Sequence, residues 1–294
     1  MSARRAIALL VNPHAAGGRP LRLLGAVEGR LRTLGLPFRT ERTDSLLHAC
    51  ELGREAAARG EMPVTLSGDG LIGAVAGALR DVPGAVLGVL PGGRGNDFAR
   101  TVGIPLDAEA AVDVLADGAP RPVDLGEAGG RTFVGVASLG FDSEANRIAN
   151  AAPPALGRLV YVYGALRALA AWDGARFTVD VDGDRAEFDG WSVAAANSAF
   201  YGGGMRVAPH ARLDDGALDV VTLAECSRLG VVPLLAKVFR GTHVHARGVS
   251  VRRGAEVRVS ADRPFTVYAD GDPIGNLPIT LRAVPAALDV LLPA

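Results

Sequence analysis

The sequence predicts a two-domain α/β protein: an α/β domain on a parallel sheet over residues 1–124, and a mainly β, sandwich-type domain over residues 125–294 whose last residues are open to returning to the first. Three observations predict it. Apolar β-type runs alternate with helical periodicity through the first 125 residues or so. Beyond Val123 the texture changes to short β-type runs separated by Gly, Asp and Pro. At 294 residues and 49% hydrophobic content, the chain is long and apolar enough for two cores.

Taken in order, Ala6–Val11 reads as a short strand, and Leu24, Val27, Leu31 and Leu34 recur at helical spacing with Gly35 placed to end that helix. Pro37–Thr40 reads as extended, and Asp44 or Ser45 caps a helix running through Ala58. Val64–Leu66 is a strand, Leu71–Leu79 a helix and Ala85–Leu90 a strand. Strands separated by helices at this spacing predict a parallel sheet covered on both faces. In the second half, Phe177–Val181, Trp191–Ala196, Leu218–Leu223, Val249–Val251, Val257–Val259, Phe265–Tyr268 and Ile279–Leu281 are the expected strands, with a hairpin turn at Asp182-Gly183. Leu156–Trp172 and Ser227–Arg240 are expected helices.

Bulk chemistry excludes several classes. A net charge of −1 argues against a nucleic-acid partner, which calls for a basic excess. Two cysteines, Cys50 and Cys226, cannot build a disulfide framework or a zinc knuckle and read as thiols buried in a reducing cytoplasm. Ala6–Val11 is too brief for a secretory apolar region, and no run of about 18 apolar residues occurs. The expectation is a cytoplasmic chain whose membrane contact, if any, is peripheral.

Leu66-Ser67-Gly68-Asp69-Gly70-Leu71-Ile72-Gly73 sits between a strand and a helix, at the sheet edge where open α/β folds bind ligands. Small residues let backbone N–H groups approach a phosphate, helped by the helix N-terminus. Asp69 would repel phosphate, so it reads as a Mg²⁺ partner or a holder of loop geometry; a plain tight turn is the competing reading. A second loop, Pro91-Gly92-Gly93-Arg94-Gly95-Asn96-Asp97, again follows a strand, with Arg94 free to neutralise phosphate. Asn12-Pro13-His14 with Gly17-Gly18 makes a third loop on that edge. GxxxxGK[ST] is absent, so this is not a P-loop protein.

Two acidic turns follow. Asp214-Asp215-Gly216-Ala217-Leu218-Asp219 opens an apolar strand and read alone is a turn. Tyr268-Ala269-Asp270-Gly271-Asp272-Pro273 ends a β run with the composition of a general base supported by a second acid, against a hairpin turn.

Asn12-Pro13, the Gly-Asp-Gly loop, the Pro-Gly-Gly…Gly-Asn-Asp-Phe-Ala loop and the Asp-Asp-Gly-x-Leu-Asp run, in this order over nearly the whole chain, resemble the diacylglycerol kinase catalytic family. That family includes bacterial diacylglycerol kinases, YegS-like lipid kinases and sphingosine kinases, and shares its nucleotide fold with NAD kinases and phosphofructokinases. The resemblance implies that ATP binds through residues 67–73 and Asn96, with Asn12, Thr43 and Arg94 near its phosphates or base. It implies Mg²⁺ at Asp215 with the carbonyls of Arg212 and Ala217, and an acceptor base at Asp272 with Asp270 beside it. Three positions depart from the family: Leu71 stands where a Thr is usual, Gly73 where an Asn is expected and Arg94 where a hydroxyl residue is usual.

The function expected is phosphoryl transfer from ATP to a lipid hydroxyl, diacylglycerol above all, at the inner membrane surface, with a homodimer left open. A kinase of a soluble hydroxyl acceptor and a non-catalytic nucleotide- or lipid-binding protein are the alternatives. Three features carry plainer readings. His243 and His245 would share a strand face, two residues that do not make a metal site. Arg240, Arg247, Arg252 and Arg253 form a basic stretch that suits either anionic headgroups or a solvated strand edge. The Leu156–Trp172 helix, interrupted by Arg158 and Arg167, suits either an acyl-chain cleft or a core. Gly202-Gly203-Gly204 would bring backbone close to a ligand or merely permit a loop.

Overall fold

The computed structural model describes residues 5–153, 156, 159–224 and 227–294. The first half alternates as β1 (Ile7–Val11), α1 (Arg19–Thr33), β2 (Phe38–Arg42), α2 (Leu46–Ala58), β3 (Met62–Ser67), α3 (Asp69–Leu79), β4 (Val86–Pro91), α4 (Asp97–Thr101) and α5 (Ala108–Asp117). Local chemistry sets the boundaries. Pro20 opens α1 and Gly35, at φ 63°, follows its end. The Ser45 hydroxyl caps α2 by accepting the His48 N–H at 3.1 Å, and Asp107 caps α5 through Ala110 N–H at 2.9 Å.

The strands run in the order β2-β1-β3-β4, all parallel. Every residue of β1, β3 and β4 is buried, as in a sheet covered on both faces by α1 with α5 and α2 with α3. The order reverses between β1 and β3, so the loops leaving those strands diverge and leave a crevice at their carboxyl ends.

The second half contains β5 (Ala119–Ala128), β6 (Arg131–Phe133), β7 (Val136–Gly140), α6 (Phe141–Ala151), α7 (Leu159–Ala171), β8 (Ala175–Val181), β9 (Asp184–Ala196), β10 (Leu218–Ala224), α8 (Arg228–Arg240), β11 (Val249–Gly254), β12 (Glu256–Ala261), β13 (Thr266–Ala269), β14 (Asp272–Asn276) and β15 (Ile279–Leu292). Its strands run β14-β13-β7-β9-β8-β12-β15, and residues from most of them meet in one core around Phe133, Phe177, Val193 and Leu281. Asp182 (φ 52°) and Gly183 (φ 92°) make the β8–β9 turn.

β15 joins the halves. It pairs antiparallel with β12 and β5, breaks register between Val284 and Leu288, then lies parallel to β4 at Asp289–Val86 and Val290–Leu87. Pro285 and the bulge hide this strand from a periodicity reading, which saw only Ile279–Leu281. Pro120 and Pro122 obscure β5 in the same way.

The helix expected at Leu156–Trp172 is observed as Leu159–Ala171, with Arg158 outside the described residues; Cys226 lies outside them too. Cys50 is half-buried, its thiol donating to Ala74 O at 3.3 Å. His243 and His245 do not share a strand: they lie in a 3₁₀ turn, Thr242–His245, where His243 is buried with Nε2 2.9 Å from Val207 O. The basic stretch is partly internal, since Arg252 donates to Asp184 O and Val179 O, and Arg253 pairs with Asp215.

Candidate active site

The loops after β3 and β4 touch backbone to backbone. A side chain on Gly68 would begin 3.2 Å from the Gly93 Cα, and Gly92 N–H donates to Ser67 O at 2.7 Å. Asn96, at φ 53°, accepts the Gly93 N–H at 2.7 Å and donates back to Gly93 O at 3.2 Å. It is buried and shapes the loop from beneath. Ser67, Leu71 and Ile72 are also buried, so this stretch offers the backbone N–H groups of the α3 first turn rather than those side chains. Asn12 accepts the His14 N–H at 3.0 Å, and Thr43 is buried beside Val11 O at 3.4 Å. The Arg94 guanidinium is half-exposed and makes no ion pair or hydrogen bond with any described residue.

Four carboxylates stand around these loops. Both oxygens of Asp69 accept N–H groups of α4, from Asp97 and Phe98, at 3.0 Å each. Asp69 therefore caps that helix and binds the two glycine loops together. Asp97 accepts the Gly203 N–H on Oδ2 at 2.8 Å, while its buried Oδ1 accepts no hydrogen bond and lies 3.9 Å from Arg100 Nε. Burial and the charge of Asp69 push Asp97 up to about 7.

Asp270 stands in left-handed backbone (φ 52°) and accepts the N–H groups of Val134, Gly135 and Val136 at 2.8, 2.9 and 3.3 Å. Burial, then Asp69, push it up to about 7 against the pull of those donors. A Cβ on Gly73 would lie 3.1 Å from Asp270 Oδ2, so the glycine at this position is the seat of that carboxylate. Asp272 projects over Gly70, where any side chain would overlap its Oδ2. No described residue hydrogen-bonds the Asp272 carboxylate; burial raises its pKa and Arg131 lowers it. The structure thus brings Asp69 of the first half near Asp270 of the second, and sets Asp272 over Gly70.

It does not bring Asp215 there. The Asp215 carboxylate pairs with Arg253 and accepts Ala217 N–H at 3.2 Å, and Arg212 pairs with Asp214 at 2.9 Å. Asp124 fastens this turn, accepting from Asp215 and Gly216 at 2.9 and 2.7 Å and from Ala286, where β15 crosses over, at 2.7 Å.

Beside the carboxylates opens a cleft lined by Asp69, Asp97, Asp142 and Asp270 and by Phe141, Ala145, Ala165, Met205 and Leu235. A second cavity, lined by Val207, Val221, Leu223, Val238 and Val249, shares Phe141, Asp142, Tyr201 and Leu235 with it. Asp142, between the two, interacts with the Ser192 and Tyr201 hydroxyls and is pushed up to about 6 by burial. Gly202, in a turn whose three glycines all have positive φ, lines the cleft. Sequence reading missed Asp97 and Asp142 as site residues. Asp97 stood inside a recognised loop, whereas Asp142 opens a helix that no periodicity signal announced.

Residues 6–128 match the diacylglycerol kinase catalytic domain and residues 135–292 the YegS C-terminal NAD kinase beta sandwich-like domain. The chain is 33% identical to a diacylglycerol kinase of Mycobacterium tuberculosis over 98% of this chain and 95% of that one. It is 32% identical to a YegS-like lipid kinase of Pseudomonas fluorescens over 100% and 97%. A crystal structure of a diacylglycerol kinase from Bacillus anthracis has the same fold, with a TM-score of 0.75 at 17% identity over 99% of this chain and 98% of that chain.

Proposed function

This chain belongs to the diacylglycerol kinase family, an ATP-dependent lipid kinase family, and we propose that Asp272 is the base that removes the acceptor hydroxyl's proton, with diacylglycerol the preferred acceptor. The observation that carries the choice of lipid is the apolar share of the cleft's lining: Phe141, Ala145, Ala165, Met205 and Leu235 stand there beside the carboxyl groups, and Phe141 and Leu235 continue into a second, mainly apolar cavity. A sugar or nucleotide acceptor would leave that apolar surface unmatched.

Asp272 suits the base because its carboxylate is free, beside the backbone of the phosphate loop. Asp270 is a positioning residue, its oxygens engaged by three N–H groups. The N–H groups at the start of α3, with Arg94, would hold the nucleotide's phosphates and stabilise charge on the transferring group. No three His, Cys, Asp or Glu side chains among the described residues are grouped to hold a metal ion. A Mg²⁺ carried in with the nucleotide fits all the same, since one buried oxygen of Asp97 accepts no hydrogen bond and Asp69, Asp97 and Asp270 bring three carboxyl groups to the cleft lining. Bound there it would neutralise phosphate charge. At the Asp215 turn a Mg²⁺ held by the carboxylate and the carbonyls of Arg212 and Ala217 would compete with the Arg253 guanidinium.

Transfer of labelled γ-phosphate from ATP to purified diacylglycerol, against a mixture of soluble hydroxyl metabolites, tests the reading. Label in the lipid supports it, and label only in soluble products overturns the choice of acceptor.

A further inference from the structure

α7 is apolar on two faces, and the described residues cover only one. Val160, Gly164 and Ala168 point inward; Gly164 lies so close to the Ala145 carbonyl of α6 that a side chain would overlap it, and Ala168 joins Phe141, Trp172 and Trp191 in a core. Outward, Leu159, Val162, Tyr163 and Leu166 are 67%, 42%, 39% and 52% exposed. Their spacing of i, i+3, i+4 and i+7 puts them on one stripe. Ala165 of the same helix lines the cleft, as does Leu235 of α8; one turn beyond Leu235, Phe239 is 46% exposed. Arg167 beside the stripe, and Lys237 and Arg240 at the end of α8, are exposed cations.

We propose that the outer stripe of α7 and the end of α8 form the surface by which this protein lies on an anionic lipid bilayer, an inference that rests on the lipid-kinase reading. At 13 residues α7 reaches roughly 20 Å, short of the ~30 Å hydrocarbon core, and no helix among the described residues is long and apolar enough to cross a membrane. A helix of this kind lies in the interface, apolar stripe toward the acyl chains and cations toward the headgroups. The site's position supports a bilayer: the helices that present the stripe also wall the cleft, so an acyl-bearing acceptor would pass from bilayer to carboxylates along one apolar surface. A second copy of the chain docked here about a two-fold axis would gather Arg167, Lys237 and Arg240 of both copies into one interface, which like-charge repulsion disfavours.

The test is co-sedimentation of the full chain with phosphatidylcholine vesicles, with and without phosphatidylglycerol, for the wild type, Leu159→Ser/Leu166→Ser and Arg167→Glu/Arg240→Glu. The wild type is expected to pellet with the anionic vesicles, and each double variant to lose roughly tenfold or more of that partitioning. Phosphorylation of vesicle-borne diacylglycerol should fall in parallel, while that of short-chain diacylglycerol in detergent stays at the wild-type rate. Variants that pellet like the wild type overturn the proposal. So does a wild-type dimer that Leu159→Ser/Leu166→Ser dissociates with vesicle binding unchanged, which would make the stripe a contact between copies. A wild type that phosphorylates diacylglycerol in neither form sinks the kinase reading instead, and vesicle binding alone then decides the docking surface.

Discussion

Asp272 occupies the space that a side chain at position 70 would need: a methyl group on Gly70 would overlap Asp272 Oδ2 and come within 3.5 Å of Asp270 O. The second half of the chain thereby rests its acidic turn on the Gly68-Asp69-Gly70 loop of the first. Gly70→Ala should push Asp272 away and lower kcat by about 100-fold, the scale of a 1 Å misplacement of a reacting group. Tm should move little, because Asp272 is exposed enough to yield. Steady-state ADP release with a thermal melt checks both.

Asp272→Asn should lower kcat by roughly 10³-fold with ATP binding and Tm nearly unchanged. Asp270→Asn should act differently, because an amide NH₂ would face backbone N–H groups that now donate to a carboxylate oxygen. It should cost about 1–3 kcal/mol of stability. Denaturant melts of the two variants separate base from positioning residue; equal loss of stability in both would reverse the assignment. Since burial raises the pKa of Asp272, kcat/KM should climb with pH through a midpoint above the ordinary aspartate value of about 3.9.

The ligand-free protein should lose stability as pH rises through about 7. Asp97 and Asp270 hold protons up to about 7 when folded, whereas an unfolded aspartate releases its proton near 3.9. Between those values unfolding releases protons, so raising pH favours the unfolded state. Asp97→Asn removes one of these charges, buried beside Asp69. It should stabilise the ligand-free protein on the order of 1 kcal/mol at about pH 8. The gain should vanish near pH 5, and melts at both pH values test this.

Arg253 is the cation of the Asp215 turn. Removing divalent metal from the wild type should leave its Tm unchanged, because the carboxylate is already paired. Arg253→Met leaves Asp215 without that charge, and Tm should then rise with added Mg²⁺, as for any ligand that binds only the folded state. Metal-independent melting of the variant would show that the turn has no affinity for Mg²⁺.

Arg94→Ala should raise KM for ATP about tenfold with kcat less affected, since Arg94 is free to meet a phosphate and holds no internal contact.

Much of the first half was legible because local chemistry and global position agree there. Apolar strands, Ser45 as a cap and glycines after β3 and β4 all act over a few residues, and parallel topology then places their loops on one edge. The acidic turn at Asp270–Asp272 was legible as chemistry, but which acid is free was not. That depends on Val134, Gly135 and Val136, more than 130 residues away in sequence, donating to Asp270 and leaving Asp272 open. The same holds for Asp69, whose oxygens are directed to α4, and for Asp215, whose partner Arg253 comes from β11. By itself the sequence determined the strand–loop–helix units, the order of the glycine loops and the presence of enough acids for a kinase. Tertiary structure alone decided which carboxylates are free, because hydrogen bonds between distant segments engage all but one oxygen of Asp69, Asp97 and Asp270 and leave the Asp272 carboxylate open, over a glycine that gives it room.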